Sequence, residues 1–279
     1  MTTGMTNTDM TSTDMTSTAA TSPVATATAE ANRTLDGLAE LIDSEVADDL
    51  SSASLSLARG FHRGGTLWVI APRWEPHAHH VAVEFVHPVI MGKRALPSVA
   101  LIGPDLVEQV RVAARKDDIL LVVAASDDPV AHDVLRRAPA WGLTTHWIGF
   151  GPRPTPGSAD HVLWVDSDDP MVPMTGRFVL LYHLLWELTH VCFENPGLLS
   201  PPEPDDCTDE VCVTCSDEGR LGEVVEVPDG DFEPAWVRTA DGEEPVDVTL
   251  VAPVVAGDLL IVHAGSALTK LEDLPEVAR

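Results

Sequence analysis

The stretch ILLVVAASDDP, residues 119–129, decides the predicted fold. Its first seven residues are apolar without alternation, which is typical of a strand buried on both faces in a parallel sheet. A segment suited to a helix follows at 129–139. The central element of the chain is therefore predicted to be a buried parallel strand that leads into a covering helix.

The same alternation of strand and helix extends on both sides of this stretch. Four further strand-length apolar runs lie at 66–71, 98–102, 145–148 and 162–165. Segments suited to helices lie at 77–92, 105–115 and 175–192, and an amphipathic run through Leu38, Leu41, Ile42 and Val46 follows Thr34. Residues 31–194 are therefore predicted to form an α/β domain with a doubly wound parallel sheet. The ligand crevice of such a sheet lies outside the carboxyl ends of its strands.

The remaining segments differ in composition. Residues 1–30 contain no Leu, Ile, Phe or Trp, which predicts a disordered tail. Residues 195–211 are rich in Pro and acidic side chains, which predicts a linker. Residues 212–279 hold short strand candidates at 222–227, 235–239, 246–250 and 259–263, so a small all-β barrel of OB-like type is expected.

The charge balance excludes several classes of partner. Acidic residues outnumber Lys and Arg 44 to 17, giving a net charge of −27. Nucleic-acid backbones and anionic membranes attract basic proteins, so neither is an expected partner. We find no apolar run long enough for a transmembrane helix and no basic, apolar signal sequence, and a cytoplasmic location is predicted.

Five short motifs occur in an order that resembles a SIS (sugar isomerase) domain of the phosphoheptose isomerase branch, over about 60–193. They are GGTLWV at 64–69, HVAVE at 80–84, ALPSVAL at 95–101, DILL at 118–121 and HLL at 183–185. The resemblance implies that His80, Glu84 and His183 are metal-binding or acid–base residues, and that the chain forms a homo-oligomer through this domain.

Independently of the resemblance, His80 and Glu84 are four residues apart and share one helix face, which suits a metal site or a proton relay. The alternative is a remnant polar cluster in a domain retained for shape or dimerisation. The loops that bind phosphate in the family are APRW at 71–74 and AASDDP at 124–129 in this chain. Pro72 has no N–H group and two carboxylates stand in the second loop, so the sequence predicts poor binding of a sugar phosphate.

The C-terminal segment carries a second resemblance. GEVVEV at 222–227, VDVTLV at 246–251 and GDLLIVHAGSAL at 257–268 are similar in sequence and order to the HypC/HupF family of [NiFe]-hydrogenase maturation chaperones. This resemblance implies a transient iron that carries cyanide and carbon monoxide. It also implies a HypD-like maturation protein and the hydrogenase large-subunit precursor as partners. The candidate iron ligands are Cys212 or Cys215, together with His263.

Other interpretations of these residues remain open. Cys207, Cys212 and Cys215 lie within nine residues, so zinc bound with a histidine is one alternative. A redox-active Cys-x-x-Cys pair is another, although nearby carboxylates oppose a low thiol pKa. His263 could equally be a core histidine with satisfied hydrogen bonds.

Together the two resemblances predict a two-domain assembly chaperone for [NiFe]-hydrogenase rather than an enzyme. The alternative is a SIS-type sugar-phosphate isomerase or metal-dependent enzyme that uses His80, Glu84 and His183. A zinc-dependent structural adaptor is a third interpretation.

Overall fold

The computed structural model describes residues 45–90, 92–199, 219–227 and 233–271, and the single positions 1, 28, 32 and 230. Cys207, Cys212 and Cys215 lie outside the described residues, as does most of the predicted tail.

A five-stranded parallel sheet forms the centre of the first half. Its strands are β1 (Leu67–Ile70), β2 (Ser98–Ala100), β3 (Ile119–Ala125), β4 (Thr144–Phe150) and β5 (His161–Val165). The order is β2-β1-β3-β4-β5, and every neighbouring pair is parallel. Six of the seven residues of β3 are buried, as expected for a central strand covered on both faces. The predicted parallel sheet is therefore confirmed.

Helices cover both faces of this sheet. They are α1 (Glu45–His62), α2 (Glu75–Val86), α3 (Leu106–Ala113), α4 (Pro129–Arg137) and α5 (Gly176–Glu194). One core holds Leu57 of α1, Phe85 of α2 and Phe178 of α5, and the opposite core holds Val110 of α3 and Val134 of α4. None of the helices in the described part of the chain is long and apolar enough to cross a membrane.

The strand order places a topological switch between β1 and β3, because the chain runs from these two neighbours to opposite sides of the sheet. Ligand crevices of doubly wound sheets form at this position, outside the carboxyl ends of the strands. Here the loops at that edge are 71–74 after β1 and 126–128 after β3.

The second half contains an antiparallel sheet. Its strands are β6 (Arg220–Glu226), β7 (Ala235–Thr239), β8 (Gly242–Val246), β9 (Leu259–His263) and β10 (Ser266–Leu271), in the order β10-β9-β6-β7-β8. Between the two ends of this sheet, an isolated bridge joins Asp247 to Ser266. The sheet is established, whereas closure into the predicted OB-like barrel is not confirmed.

The predicted strand at 246–250 is wrong by several residues. The strand β8 ends at Val246, and the next residues form a turn. The carboxylate of Asp247 accepts hydrogen bonds from the backbone N–H and the hydroxyl of Thr249, at 2.9 and 2.6 Å. Such an Asx turn replaces the ladder hydrogen bonds of a strand.

The second sheet packs on the α3–α4 side of the first half. Leu259 of β9 belongs to the same apolar core as Trp141. The buried carboxylate of Glu223 accepts a hydrogen bond from Arg137 Nη1 at 3.0 Å and one from Trp141 Nε1 at 2.8 Å. The two halves are thus joined by apolar contact and by a buried ion pair.

Candidate functional site

His80, Glu84 and His183 come together where α2 lies beside α5. The apolar positions Ala78, Val81 and Phe85 turn one face of α2 into the core, which leaves His80 and Glu84 on a partly exposed face. One ligand atom from each of the three residues lies within 4.8 Å of the others. His80 Nε2 is 3.4 Å from Glu84 Oε1, and the rings of His80 and His183 are 5.0 Å apart. The structure therefore places these three sequence-predicted residues in one group.

Tyr182 is a further residue of this site, and the sequence reasoning missed it. Its hydroxyl oxygen is 2.8 Å from His80 Nδ1 and 3.3 Å from His77 Nδ1. Burial raises the pKa of Tyr182 to about 12, so the hydroxyl keeps its proton and can donate to one histidine while accepting from the other. The available signal was that Tyr182 is the only tyrosine of the chain and directly precedes His183.

Burial favours the neutral forms of His183 and His77. Burial is the main cause that lowers the pKa of His183, and the nearby His80 lowers it further while Glu84 opposes the shift. Burial likewise lowers the pKa of His77. A neutral imidazole is the form that binds a metal or accepts a proton.

The donor set fits a divalent transition metal. Two imidazole nitrogens and one carboxylate oxygen are ligands that Zn²⁺ and similar ions take in sites with three protein ligands. With its Nδ1–H donated to the hydroxyl oxygen of Tyr182, His80 keeps the lone pair of Nε2 for a metal, and a hydrogen bond of this kind orients a ligating histidine. The residues present therefore suit a metal with an open position for a substrate.

A cavity of ≈ 430 Å³ lies at the carboxyl ends of β1, β3 and β4, where the topology predicts a crevice. Arg73 contributes a positive charge to its lining, and two carboxylates bind that charge. Arg73 Nη1 is 3.3 Å from Asp127 Oδ1, and Arg73 Nε is 3.1 Å from Asp128 Oδ2. An anion placed about 4 Å from a carboxylate is repelled by roughly 1–4 kcal/mol per charge pair, depending on solvent exposure.

Asp128 also caps α4. Its Oδ1 accepts hydrogen bonds from the backbone N–H groups of Val130 and Ala131, both at 3.0 Å, and the residue is only 1% exposed. The N-terminus of a helix is a ready-made site for an anion. In this chain the carboxylate of Asp128 occupies it.

Of the residues predicted as an iron site, His263 is the one that lies in the described part of the chain. His263 is the last residue of β9, is half-buried, and is opposite Ser266 in the β9–β10 pairing. Among the described residues, the group of metal-ligating side chains is that of His80, Glu84 and His183, and His263 is not a member. Cys212 and Cys215 are outside the described residues.

Comparison with known proteins agrees with the first resemblance. A phosphoheptose isomerase from Desulfovibrio desulfuricans is 30% identical in an alignment of 185 positions, and the match covers 59% of this chain and 87% of that protein. The chain belongs to the phosphoheptose isomerase family. No family model matches the chain.

Two solved structures of phosphoheptose isomerases are similar to part of this chain. The structure from Francisella tularensis matches 60% of this chain and 98% of its own, with 17% identity and a TM-score of 0.50. The structure from Neisseria gonorrhoeae matches 61% of this chain and 97% of its own, with 16% identity and a TM-score of 0.46. The first of these matches confirms the SIS fold of this phosphoheptose isomerase family member.

The expected function in [NiFe]-hydrogenase maturation is wrong. The relatives are phosphoheptose isomerases, and the comparisons give no support for a HypC/HupF module or its iron. The motif around His263 has a structural explanation, because it forms the β9–β10 hairpin, in which Ala264 and Gly265 have φ of 49° and 79°. Two consecutive positive φ values are what a tight hairpin turn demands. The HypD-like and large-subunit partners depended on this resemblance alone and are not proposed.

Proposed function

We propose that this chain is a sugar isomerase of the SIS type and that His80, Glu84 and His183 form its reactive site. The observation that carries the proposal is the meeting of these three side chains, from α2 and α5, in a member of the phosphoheptose isomerase family. The substrate that the name of the relative suggests is a phosphoheptose; for this chain we propose a sugar with a carbonyl group.

The chemistry of such a reaction suits these side chains. Converting an aldose to a ketose moves one proton between neighbouring carbons and another between their oxygens. The carboxylate of Glu84 can take the carbon-bound proton and return it to the adjacent carbon. His183 is held neutral by burial, so it can exchange a proton with the sugar oxygens.

A divalent metal held by the same group would polarise the carbonyl and so acidify the neighbouring C–H bond. A carboxylate has two oxygens, so Glu84 can offer one to the metal and accept a proton at the other. Tyr182 holds His80 by its Nδ1, which leaves Nε2 on the side of Glu84.

Metal content and turnover together test the proposal. The full chain is loaded with Zn²⁺ or Mn²⁺, dialysed and assayed with a ketoheptose and with its terminal phosphate ester. His80→Ala, Glu84→Gln and His183→Ala are each expected to reduce kcat/KM about 100-fold or more. The two alanine variants are also expected to lose bound metal, because each removes one ligand.

His87→Ala is the matched control, because His87 is an exposed histidine at the C-terminal end of α2. It should keep both metal and turnover. Full activity in the Glu84→Gln and His183→Ala variants, or no turnover of either sugar by the metal-loaded wild type, would contradict the proposal.

A further inference from the structure

We propose that the crevice between the ends of β1 and β3 receives a hydroxyl-bearing, unphosphorylated end of the sugar rather than a phosphate group. This inference rests on the proposed function, because it names the substrate class of that isomerase. Asp127, Asp168 and Trp74 are the residues to which we assign this specificity.

The first observation is that the helix N-terminus beside β3 is closed to a phosphate. The N–H groups of Val130 and Ala131 at the start of α4 donate to Asp128 Oδ1, and Pro129 has no N–H group. Asp128 is almost fully buried, so its charge stays in place when a ligand approaches. A phosphate would have to displace this carboxylate to reach the amides.

The second observation is that the helix N-terminus after β1 is closed as well. Pro76 in the first turn of α2 lacks an N–H group, the N–H of His77 donates to Trp74 O at 2.8 Å, and the N–H of Trp74 donates to Ala71 O at 3.0 Å. Glu75 adds a negative charge to the same turn. At the starts of the two helices, the amides of Trp74, His77, Val130 and Ala131 are thus already engaged, and Pro76 and Pro129 have none.

The third observation is the charge of the cavity lining. Among the described residues that line it, Arg73 is the one cation, and Asp127 and Asp168 are anions. Arg73 is itself bound by Asp127 and Asp128. A dianionic phosphate meets net repulsion there, whereas carboxylates accept hydrogen bonds from sugar hydroxyls.

The fourth observation is an apolar wall that fits the C–H face of a sugar. Trp74 is half-buried and lines the cavity together with Phe150, Pro152 and Pro170. A ligand site with an apolar wall and a few directed polar groups is the usual form of a small-molecule pocket.

The crevice is connected to the reactive group through α2. Trp74 directly precedes α2, and its ring lies 6.4 Å from the ring of His77. His77 and His80 share the hydroxyl of Tyr182. One sugar chain extending along the start of α2 would therefore run from the crevice toward His80.

Two measurements on the full-length protein test the inference. The first is calorimetric titration with inorganic phosphate, and the second is kcat/KM of the metal-loaded enzyme for a ketoheptose and for its terminal phosphate ester. The wild type is expected to show no saturable phosphate binding and to prefer the free sugar about tenfold or more.

The variants remove the carboxylates that are expected to repel a phosphate. In the Asp127→Ser, Asp128→Ser double variant the serine at 128 still caps α4, and phosphate binding should appear while the preference moves about tenfold or more toward the ester. Asp127→Ser alone leaves the cap intact and should shift the preference in the same direction, so a double variant that fails to fold does not end the test. Asp48→Ser, an exposed acid on α1, controls for net charge and should behave as wild type.

Saturable phosphate binding by the wild type, or equal or better turnover of the ester, would overturn the inference. Absence of turnover with both sugars would overturn the proposed function instead. In that event the phosphate titrations on wild type and variants still decide whether the crevice excludes phosphate.

Discussion

At the scale of single residues, Tyr182 is the side chain that organises the reactive group. Its ring is buried against the core, and its hydroxyl lies between His77 and His80. Since the hydroxyl keeps its proton at all moderate pH values, it fixes the orientation of the His80 ring without carrying charge.

We expect Tyr182→Phe to weaken metal binding by about 10–100-fold, because the variant keeps the ring and removes the group that orients His80. The loss in the free energy of unfolding should be only about 1 kcal/mol, the usual net value of one hydrogen bond. Competition with a chelator measures the first quantity, and urea unfolding measures the second.

Thr189→Val is the control for Tyr182→Phe, because it removes another buried hydroxyl of α5, one that donates to Leu185 O at 2.7 Å. Metal affinity should be unchanged in this variant. Equal metal affinity in Tyr182→Phe and wild type would show that the hydroxyl has no positioning role.

The sequence predicted only part of the site. The spacing of His80 and Glu84 was sufficient to place both on one face of a helix, whereas His183 was assigned to the site only from the family resemblance. Tyr182 was missed because an aromatic residue on the buried side of a helix cannot be told from an ordinary core residue by its pattern. Asp128 was identified as a carboxylate in the loop, but its contact with the α4 amides depends on backbone geometry.

At the scale of elements, the paired strands β4 and β5 hold two stacked histidines. The rings of His146 and His161 are 4.7 Å apart, and His146 is almost completely buried. Burial is the main cause that lowers the pKa of His146 to about 3, and the neighbouring His161 lowers it further. Burial also lowers the pKa of His161.

These shifts predict a loss of stability in acid. The unfolded chain binds a proton at His146 below its ordinary pKa of 6.5, whereas the folded chain does so only near pH 3. The free energy of unfolding should therefore fall as pH decreases from about 6.5 toward 3, by up to about 1.4 kcal/mol per pH unit for this group. Urea unfolding at pH 7, 6, 5 and 4 measures the slope.

His146→Gln should flatten this slope relative to wild type, and His62→Gln, at an exposed position on α1, should not. The comparison is between slopes, because carboxylates that titrate in the same range contribute to all three proteins. Identical slopes in wild type and His146→Gln would contradict the assignment.

The bounds of some helices and strands were predicted more accurately than those of others. The bounds predicted for β3 from the run ILLVVAA agree with the structure. A strand buried on both faces can be recognised from its own apolar sequence, without knowledge of the strands beside it. The helix α1 was largely missed: the predicted helical run ended at Val46, although Leu50, Leu57 and Phe61 continue the buried stripe at helical spacing. The strand β8 has the sequence GEEPV, and a proline is tolerated there because β8 is an edge strand.

At the scale of the whole molecule, contacts between residues far apart in sequence join the α/β half of the chain to the antiparallel sheet. Arg137 of α4 donates to Glu223 of β6 and to Gly257 O at 3.0 and 2.6 Å. The side chain of Glu223 is 4% exposed, so removing Arg137 would leave a buried charge, at a cost of about 3 kcal/mol, whereas Arg137 without Glu223 would keep its ion pair with Asp133. Contacts between residues so far apart in sequence could not be predicted from local patterns.

The difference in length between the two sequence similarities explains why the predicted role in hydrogenase maturation was wrong. The C-terminal motifs are short, and the one around His263 is accounted for by a hairpin. The alignment with phosphoheptose isomerase extends over 185 positions and covers 59% of this chain. A similarity over a whole domain carries more weight than short motifs that a common turn can produce.

The central claim is that His80, Glu84 and His183 move a proton next to a sugar carbonyl. Proton NMR of a ketoheptose with the metal-loaded protein in D₂O tests it most directly, because it detects exchange at the carbon beside the carbonyl even when little product accumulates. We predict that wild type and His87→Ala introduce deuterium at that carbon and that Glu84→Gln does not. No deuterium with wild-type protein, or undiminished exchange with Glu84→Gln, would contradict the claim.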